Sequence, residues 1–356
     1  LRLIGLVDSL NRDLQSAEAR SRLEPVRPAC RGVIGNARRL LPRCWRRDLI
    51  HGKQIGSGAT SMAGPSLRIL IIGAHPDDAD IKAGGTSAKW CRFGHVVRLV
   101  SLTDGRAGHQ SMHGPELARR RRFEAEAAAA VIGATYEVMD HPDGELDDRL
   151  ELRHRVIRLI RGFSPDLIIT HRATDYHPDH RFAGLLVQDA SYLVTVPAVC
   201  PDTPHLARSP VILYVSDAFK KPCPFEPHVV VDIDAEFDRV VEMLHCHESQ
   251  FYEWLPYNAG HLEEVPASEA ARRAWLAERI GRRLSPLADR HRELVCRTYG
   301  PERGGRIRYI EAFEVSEFGA PLDAAARARL FPFLPAGSTV SVPFARKEWV
   351  DVPETD

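Results

Sequence analysis

From residue 67 onward the apolar positions follow two rhythms that alternate along the chain. Residues 67–73 (LRILIIG) form a short, nearly continuous β-branched run, the pattern of a strand buried on both faces. Residues 79–93 follow as a helix carrying Gly84-Gly85, a pair that weakens a helix unless close backbone packing or a ligand's approach needs it. Residues 95–102 (HVVRLVSL) predict a second strand, and Pro115 opens an alanine-rich helix reaching Val131. A short strand over 136–140, a helix over 147–163 and a strand over 166–170 (DLIIT) come next. Strands at 211–215 and 229–233, helices at 235–251 and 268–283, and an alternating strand at 306–315 complete the series. Strands interleaved with helices predict an α/β fold, a Rossmann-like, mostly parallel sheet with helices on both faces.

The first 61 residues break this pattern. They are arginine-rich and only weakly periodic, and the expected domain limits are a basic extension over 1–61, one catalytic domain over 62–320 and a tail over 321–356. The extension reads as over-extended translation ahead of Met62; a transit or docking arm is the alternative, opposed by Asp8, Asp13, Glu18 and Glu24. Formal net charge is zero, which removes a global electrostatic case for nucleic acid or an anionic membrane. Seven scattered cysteines without a C-x-x-C pair favour reduced thiols and a cytoplasmic setting. No apolar run is long enough for a transmembrane helix. The arginine run 119–122 reads as a solvated helix face, with Arg120–Glu124 and Arg122–Glu126 at ion-pair spacing.

Chemistry concentrates at two strand ends. Ala74-His75-Pro76-Asp77-Asp78 follows the first strand, and His171 to His180, containing His177-Pro178-Asp179-His180, follows the strand at 166–170. Open parallel sheets bind ligands at the carboxyl ends of their strands, so one crevice receives both. His75 and Asp78 are three apart, as are His177 and His180, and a helical turn points such pairs at one centre. Imidazoles with a carboxylate suit zinc in a hydrolytic role, or ferrous iron in a facial triad. Four such candidates exceed what one catalytic ion needs, leaving some as acid, base or supporting groups. Asp77, beside a ligand candidate but pointing elsewhere, is placed to accept a proton. His141-Pro142-Asp143 reads as turn chemistry only, and His95, His109, His113 and His154 as surface or packing residues.

The pair AHPDD at 74–78 and HPDH at 177–180, with Gly84-Gly85, resembles the LmbE-like, PIG-L family of metal-dependent de-N-acetylases over roughly residues 67–250. The resemblance implies a Rossmann-like fold and a Zn2+ site, with Fe2+ or another divalent cation as alternatives, held by His75, Asp78 and His180. It implies Asp77 as general base and His177 as the group that stabilises the oxyanion or protonates the leaving amine. Asp179 would orient His177 and raise its pKa. The implied reaction removes an acetyl group from a small N-acetylated, sugar-containing substrate; homo-oligomerisation stays open. Ala79 and Asp80 stand where members often carry glutamate, and Asp175 stands where some carry a catalytic tyrosine, so no tyrosine role is carried over to Tyr176. The 247–256 segment resembles a helix end of the family, with capping and packing as its plain alternative. Competing readings are an amidase for larger N-acyl conjugates, a catalytically silent carbohydrate-binding homologue, and an iron oxygenase that would leave Asp77 unexplained.

Overall fold

The computed structural model describes residues 65–337; the extension expected over 1–61 lies outside them, as does the chain beyond 337. Among the described residues seven strands build one sheet: β1 (Arg68–Gly73), β2 (Val96–Thr103), β3 (Thr135–His141), β4 (Leu167–Thr170), β5 (Val211–Val215), β6 (Val229–Asp232) and β7 (Ile310–Val315). Their order is β3-β2-β1-β4-β5-β7-β6. The pairs β2–β3, β1–β2, β1–β4 and β4–β5 are parallel, while β7 runs antiparallel to both β5 and β6. The chain leaves β1 in one direction through β2 and β3 and returns to its other side at β4. The switch point therefore lies between β1 and β4, the two strands whose ends carry the His/Asp motifs.

The sheet's two faces are legible residue by residue. Ile69 and Ile71 of β1, Val97 and Leu99 of β2, Leu167 and Ile169 of β4, and Leu213 of β5 enter one core. It is closed by helices α1 (Asp78–Arg92), α2 (Gly114–Ile132), α5 (Phe237–Cys246) and α6 (Glu269–Arg290). Leu70, Ile72, Val100, Ile168 and Ile212 point to the opposite core, under α3 (Leu150–Phe163) and α4 (Pro178–Leu193). Side-chain alternation along each strand thus feeds two apolar layers, which is why these strands read as continuous hydrophobic runs. A smaller cluster joins Val230, Ile310 and Ala312 to Leu294 and Val295 at the antiparallel edge.

Three expectations shift. The helix over 235–251 ends at Cys246 and gives way to a π-helical turn, Ser249–Trp254. α6 continues through Pro286 to Arg290 rather than stopping at 283. Part of the expected tail belongs to the core: Leu322, Leu330 and Phe331 are buried, and the indole nitrogen of Trp90 donates to the Leu330 carbonyl at 2.7 Å.

The glycine pair in α1 answers to packing. Ala83 leaves helical geometry (φ −145°, ψ 15°), and the Gly85 and Thr86 amides donate to the buried Glu311 carboxylate at 2.8 and 2.7 Å. A Cβ on Gly85 would stand 2.7 Å from Ile233 Cγ2 and 2.9 Å from its Cβ. Gly85→Ala is accordingly expected to cost about 1–3 kcal/mol, read as a lowered midpoint in thermal unfolding.

Candidate metal centre and active site

Three loops meet at the carboxyl edge of the sheet. The first leaves β1 at Gly73, where a Cβ would stand 2.6 Å from that of Asp78; glycine lets the chain fold back so tightly. Asp78 begins α1 and turns Oδ2 onto the amides of Ala74 (3.0 Å) and His75 (2.9 Å). The Ala74 carbonyl is held in turn by the Ser101 hydroxyl (2.9 Å) and by the Thr103 hydroxyl (2.7 Å) from the end of β2. The second loop leaves β4 with His171 and enters α4 with His177 at its N-cap, Pro178 at the first position and His180 in the first turn. The third is the 141–144 turn after β3.

His75, Asp78 and His180 are brought together, each nearly buried. His75 Nδ1 is 3.2 Å from His180 Nε2 and 3.6 Å from Asp78 Oδ2, and His180 Nε2 is 3.5 Å from Asp78 Oδ1. Donors around a tetrahedral zinc with bonds of about 2.0–2.1 Å stand about 3.3 Å apart, close to the separation of the two imidazole nitrogens and to that of His180 Nε2 from Asp78 Oδ1. The far side of each ring is as informative. His75 Nε2 faces Asp143 Oδ1 at 3.1 Å and Asp179 Oδ2 at 3.3 Å; His180 Nδ1 faces Asp175 Oδ1 at 3.0 Å. A carboxylate draws the ring proton to itself, which leaves the two lone pairs of His75 Nδ1 and His180 Nε2 facing one another. That arrangement is repulsive unless a cation or a proton lies between them, and the donor set fits a divalent cation. Asp78 Oδ2 is already taken by two amides and by His171 Nε2 at 3.2 Å, so Oδ1 is the oxygen left over.

The ionisation of these groups follows the same contacts. Burial opposes charge on His75, but its hydrogen bonds to Asp143, Asp179 and Asp78 lift its pKa well above the ordinary value. Burial likewise works against charge on Asp78, yet His180 and His171 hold its carboxyl well below the usual range.

Four expectations need correction. Asp143, read as turn chemistry, supports His75; its side chain is nearly buried, and Oδ2 also accepts from the Ala107 amide at 3.2 Å. Asp179 does not orient His177 through its carboxylate. Its oxygens accept from the amides of Gly144 (2.7 Å) and Leu146 (3.2 Å), while its own amide donates to His177 Nδ1 at 3.2 Å. Nor is His177 raised: burial, then the charges on His75 and His180, lower its pKa. With Nδ1 accepting, neutral His177 carries its proton on Nε2. Arg121, finally, is no part of a solvated face. Arg119 and Arg122 are exposed, but Arg121 is 2% exposed and its Nη2 lies 3.3 Å from Asp77 Oδ1. The spacing of Leu117, Arg121, Ala125 and Ala128 on one helix face carries that signal.

Asp77 occupies the N-cap position of α1 without capping it, so its carboxylate is free of the helix amides, and it is 7% exposed. His171, the first residue after β4, is the further imidazole that sequence reasoning left unassigned; Asp78, His171 and His180 offer donor atoms within 4.8 Å of one another. Behind Asp77, the fully buried Asp80 Oδ2 lies 3.3 Å from His247 Nε2. The 247–250 turn braces the site from below: Ser249 donates to Glu124 through its amide (3.0 Å) and its hydroxyl, and Gln250 Nε2 donates to the Gly108 carbonyl at 3.0 Å.

Burial first opposes ionisation of Asp143, but the hydrogen bond and charge of His75, with Arg121, bring its pKa to about 2 from an ordinary 3.8. A depressed carboxyl contributes stability above its unfolded-state pKa and loses it as pH falls through the folded value. In the metal-free protein Asp143→Asn should therefore cost about 2 kcal/mol at neutral pH. That deficit should fade between pH 4 and 2 in denaturant titrations. With metal, the same change should weaken binding about 10–100-fold.

Comparison with known proteins agrees with this geometry. The PIG-L family profile, GlcNAc-PI de-N-acetylase, matches residues 70–191. The chain is 30% identical over 207 residues to the diacetylchitobiose deacetylase of Thermococcus kodakarensis, covering 53% of this chain and 74% of that one. It is 25% identical over 205 residues to the 4-oxalmesaconate hydratase of Pseudomonas putida, covering 55% and 79%. The N,N'-diacetylchitobiose deacetylase of Pyrococcus horikoshii shares the fold with a TM-score of 0.52 at 24% identity, over 70% of this chain and 84% of that one. No helix among the described residues is long and apolar enough to cross a membrane. Motif pair, switch-point geometry and relatives converge: the chain is an enzyme of the LmbE-like, PIG-L family of de-N-acetylases.

Proposed function

We propose that the protein hydrolyses the acetamide of an N-acetylated amino sugar, giving acetate and a free amine. The observation that supports this reading is the pair of facing imidazole nitrogens, each backed by a carboxylate, with Asp77 spare beside them. A divalent cation held by His75, Asp78 and His180, with zinc suited to the donor set, would polarise the acetamide carbonyl and acidify water.

The chain's own groups do the rest. Asp77, steadied by Arg121, accepts a proton from the attacking water and passes it to the departing nitrogen. His177 acts as a neutral donor: its Nε2–H meets the oxygen on which negative charge develops, with no ring charge to be neutralised first. Asp175 and Asp143 keep the two ligand rings in the required tautomers.

Because a relative on the same fold is a hydratase, the product identifies the reaction. The test is to incubate the metal-loaded protein with N-acetylglucosamine and its β1,4-linked disaccharide and to quantify acetate and primary amine. Equal amounts of both are expected; amine-free product, or none, overturns the reading. His177→Ala should keep its metal and lose about 10²–10³ in turnover. His177→Gln should recover part of that loss, since an amide N–H also donates while neutral. If the glutamine variant is as inactive as alanine, the neutral-donor role is wrong.

A further inference from the structure

A cavity of about 240 Å³ opens at the same edge of the sheet as the metal centre. α1 lines it with Lys82, one turn after Asp78 and about 6 Å further along the helix axis. The other walls are the end of β5 at Ser216 and Asp217, the start of β7 at Glu311, and the face of α6 bearing Arg283 and Arg290. Arg283, Leu287 and Arg290 recur at i, i+4 and i+7, so both guanidinium groups belong to one side of that helix.

Charge in this cavity is unbalanced. Lys82 is half-buried and donates to the Ser216 carbonyl at 2.7 Å; among the described residues it has no carboxylate partner. Arg283 and Arg290 make neither an ion pair nor a hydrogen bond among the described residues. The two acids present are engaged elsewhere. Asp217 is clamped by Arg172 at 2.6 and 3.0 Å and accepts from the Phe219 amide at 2.9 Å. Glu311 accepts from Gly85, Thr86 and the Thr86 hydroxyl, and burial pushes its pKa up to about 7. Burial and then the neighbouring Arg283 also lower the pKa of Lys82, the mark of a cation lacking its counterion. Three cationic ends with spare donors facing one small cavity are suited to an anion's oxygens. Arg283 and Arg290 lie outside the matched stretch 70–191, so this feature does not follow from the family motifs.

We propose that this cavity takes the anionic substituent, a phosphate ester or a carboxylate, of an acetamido sugar whose acetamide lies at the His/Asp centre. The proposal rests on the deacetylase reading above. Asp78 and Lys82 stand one helical turn apart on α1, about 6 Å along its axis, so the two places are neighbours along one helix.

The experiment compares wild type with the double variant Arg283→Gln/Arg290→Gln, whose side chains are exposed and take no part in the chemistry. N-acetylglucosamine, its 1-phosphate, its 6-phosphate and 2-acetamido-2-deoxyglucuronic acid serve as substrates for the metal-loaded protein. At least one charged substrate should show kcat/KM higher than the neutral sugar by about tenfold or more, as charge-assisted contacts give. The double variant should erase that advantage and leave the neutral sugar unchanged. Which charged sugar gains distinguishes phosphate from carboxylate. In parallel, calorimetric titration with inorganic phosphate should show weaker binding to the variant than to wild type. Cleavage of the neutral sugar with no preference for charged ones overturns the cavity's role alone, as does phosphate binding unchanged by the double substitution. If no acetamide is cleaved, the deacetylase reading fails and takes this proposal with it.

Discussion

Asp78→Ala is expected to abolish metal binding and turnover together and to cost the fold about 3–5 kcal/mol, as loss of one partner from a buried charged pair does. The size follows from how much converges on one carboxylate. Oδ2 accepts from the amides of Ala74 and His75 and from His171 Nε2, and Oδ1 faces His180 Nε2. Alanine would leave two nearly buried N–H groups without acceptors and the imidazoles of His171 and His180 without their counter-charge. Asp78→Asn separates the two roles. Its amide oxygen can still receive the Ala74 and His75 amides, so the β1–α1 turn should survive, while the neutral side chain should hold metal far more weakly. Metal analysis after gel filtration and thermal unfolding, run on both variants, read the two effects independently. An Asp78→Ala protein that retains stoichiometric metal would remove Asp78 from the ligand set.

The parts of the molecule readable beforehand are those governed by local rules. The apolar run Ile69 to Ile72, buried on both faces, specified β1 as central, and its partner run at β4 behaved alike. The two motifs at their ends converge because β1 and β4 are neighbours across the switch point. What escaped reading depends on which face of an element meets which neighbour. Arg121 sits in a run of four arginines, and only the path of α2 across the sheet separates it from exposed Arg119 and Arg122. Asp143 carries the same His-Pro-Asp signature as the other two loops. As a sequence His141-Pro142-Asp143 reads as a turn, since Asp and Pro both favour turns, yet this turn reaches back to His75. The family resemblance implies Asp179 as the residue that orients His177, although a residue opening a helix can turn away from its neighbour, and this one reaches the 144–146 turn instead. The buried pair of Asp80 and His247 joins residues 167 positions apart and leaves no local trace.

Asp77→Asn is expected to lower kcat/KM by about 10²–10⁴ with metal content and unfolding temperature close to wild type. The argument begins with what Asp77 does not do. It stands at the N-cap of α1, where aspartate commonly satisfies the helix amides, yet no side-chain cap is made. Its one ionic contact among the described residues is Arg121 Nη2 at 3.3 Å, and Arg121 is anchored through Nη1 to the Gly105 carbonyl at 3.3 Å. A nearly buried carboxylate kept from its capping role and fixed by a buried guanidinium is placed for proton transfer rather than for folding. Asparagine preserves its shape and a contact to Arg121 but cannot accept the water's proton, so the loss should fall on kcat while KM stays within a few fold. Arg121→Gln should act in the same direction and more weakly, because it releases the orientation of Asp77 without removing the base. Under one shared mechanism the double variant Asp77→Asn/Arg121→Gln should be no slower than Asp77→Asn alone. Additive losses in that cycle would show that Arg121 acts on the substrate directly, and a near-normal rate for Asp77→Asn would mean that the proton goes to another group.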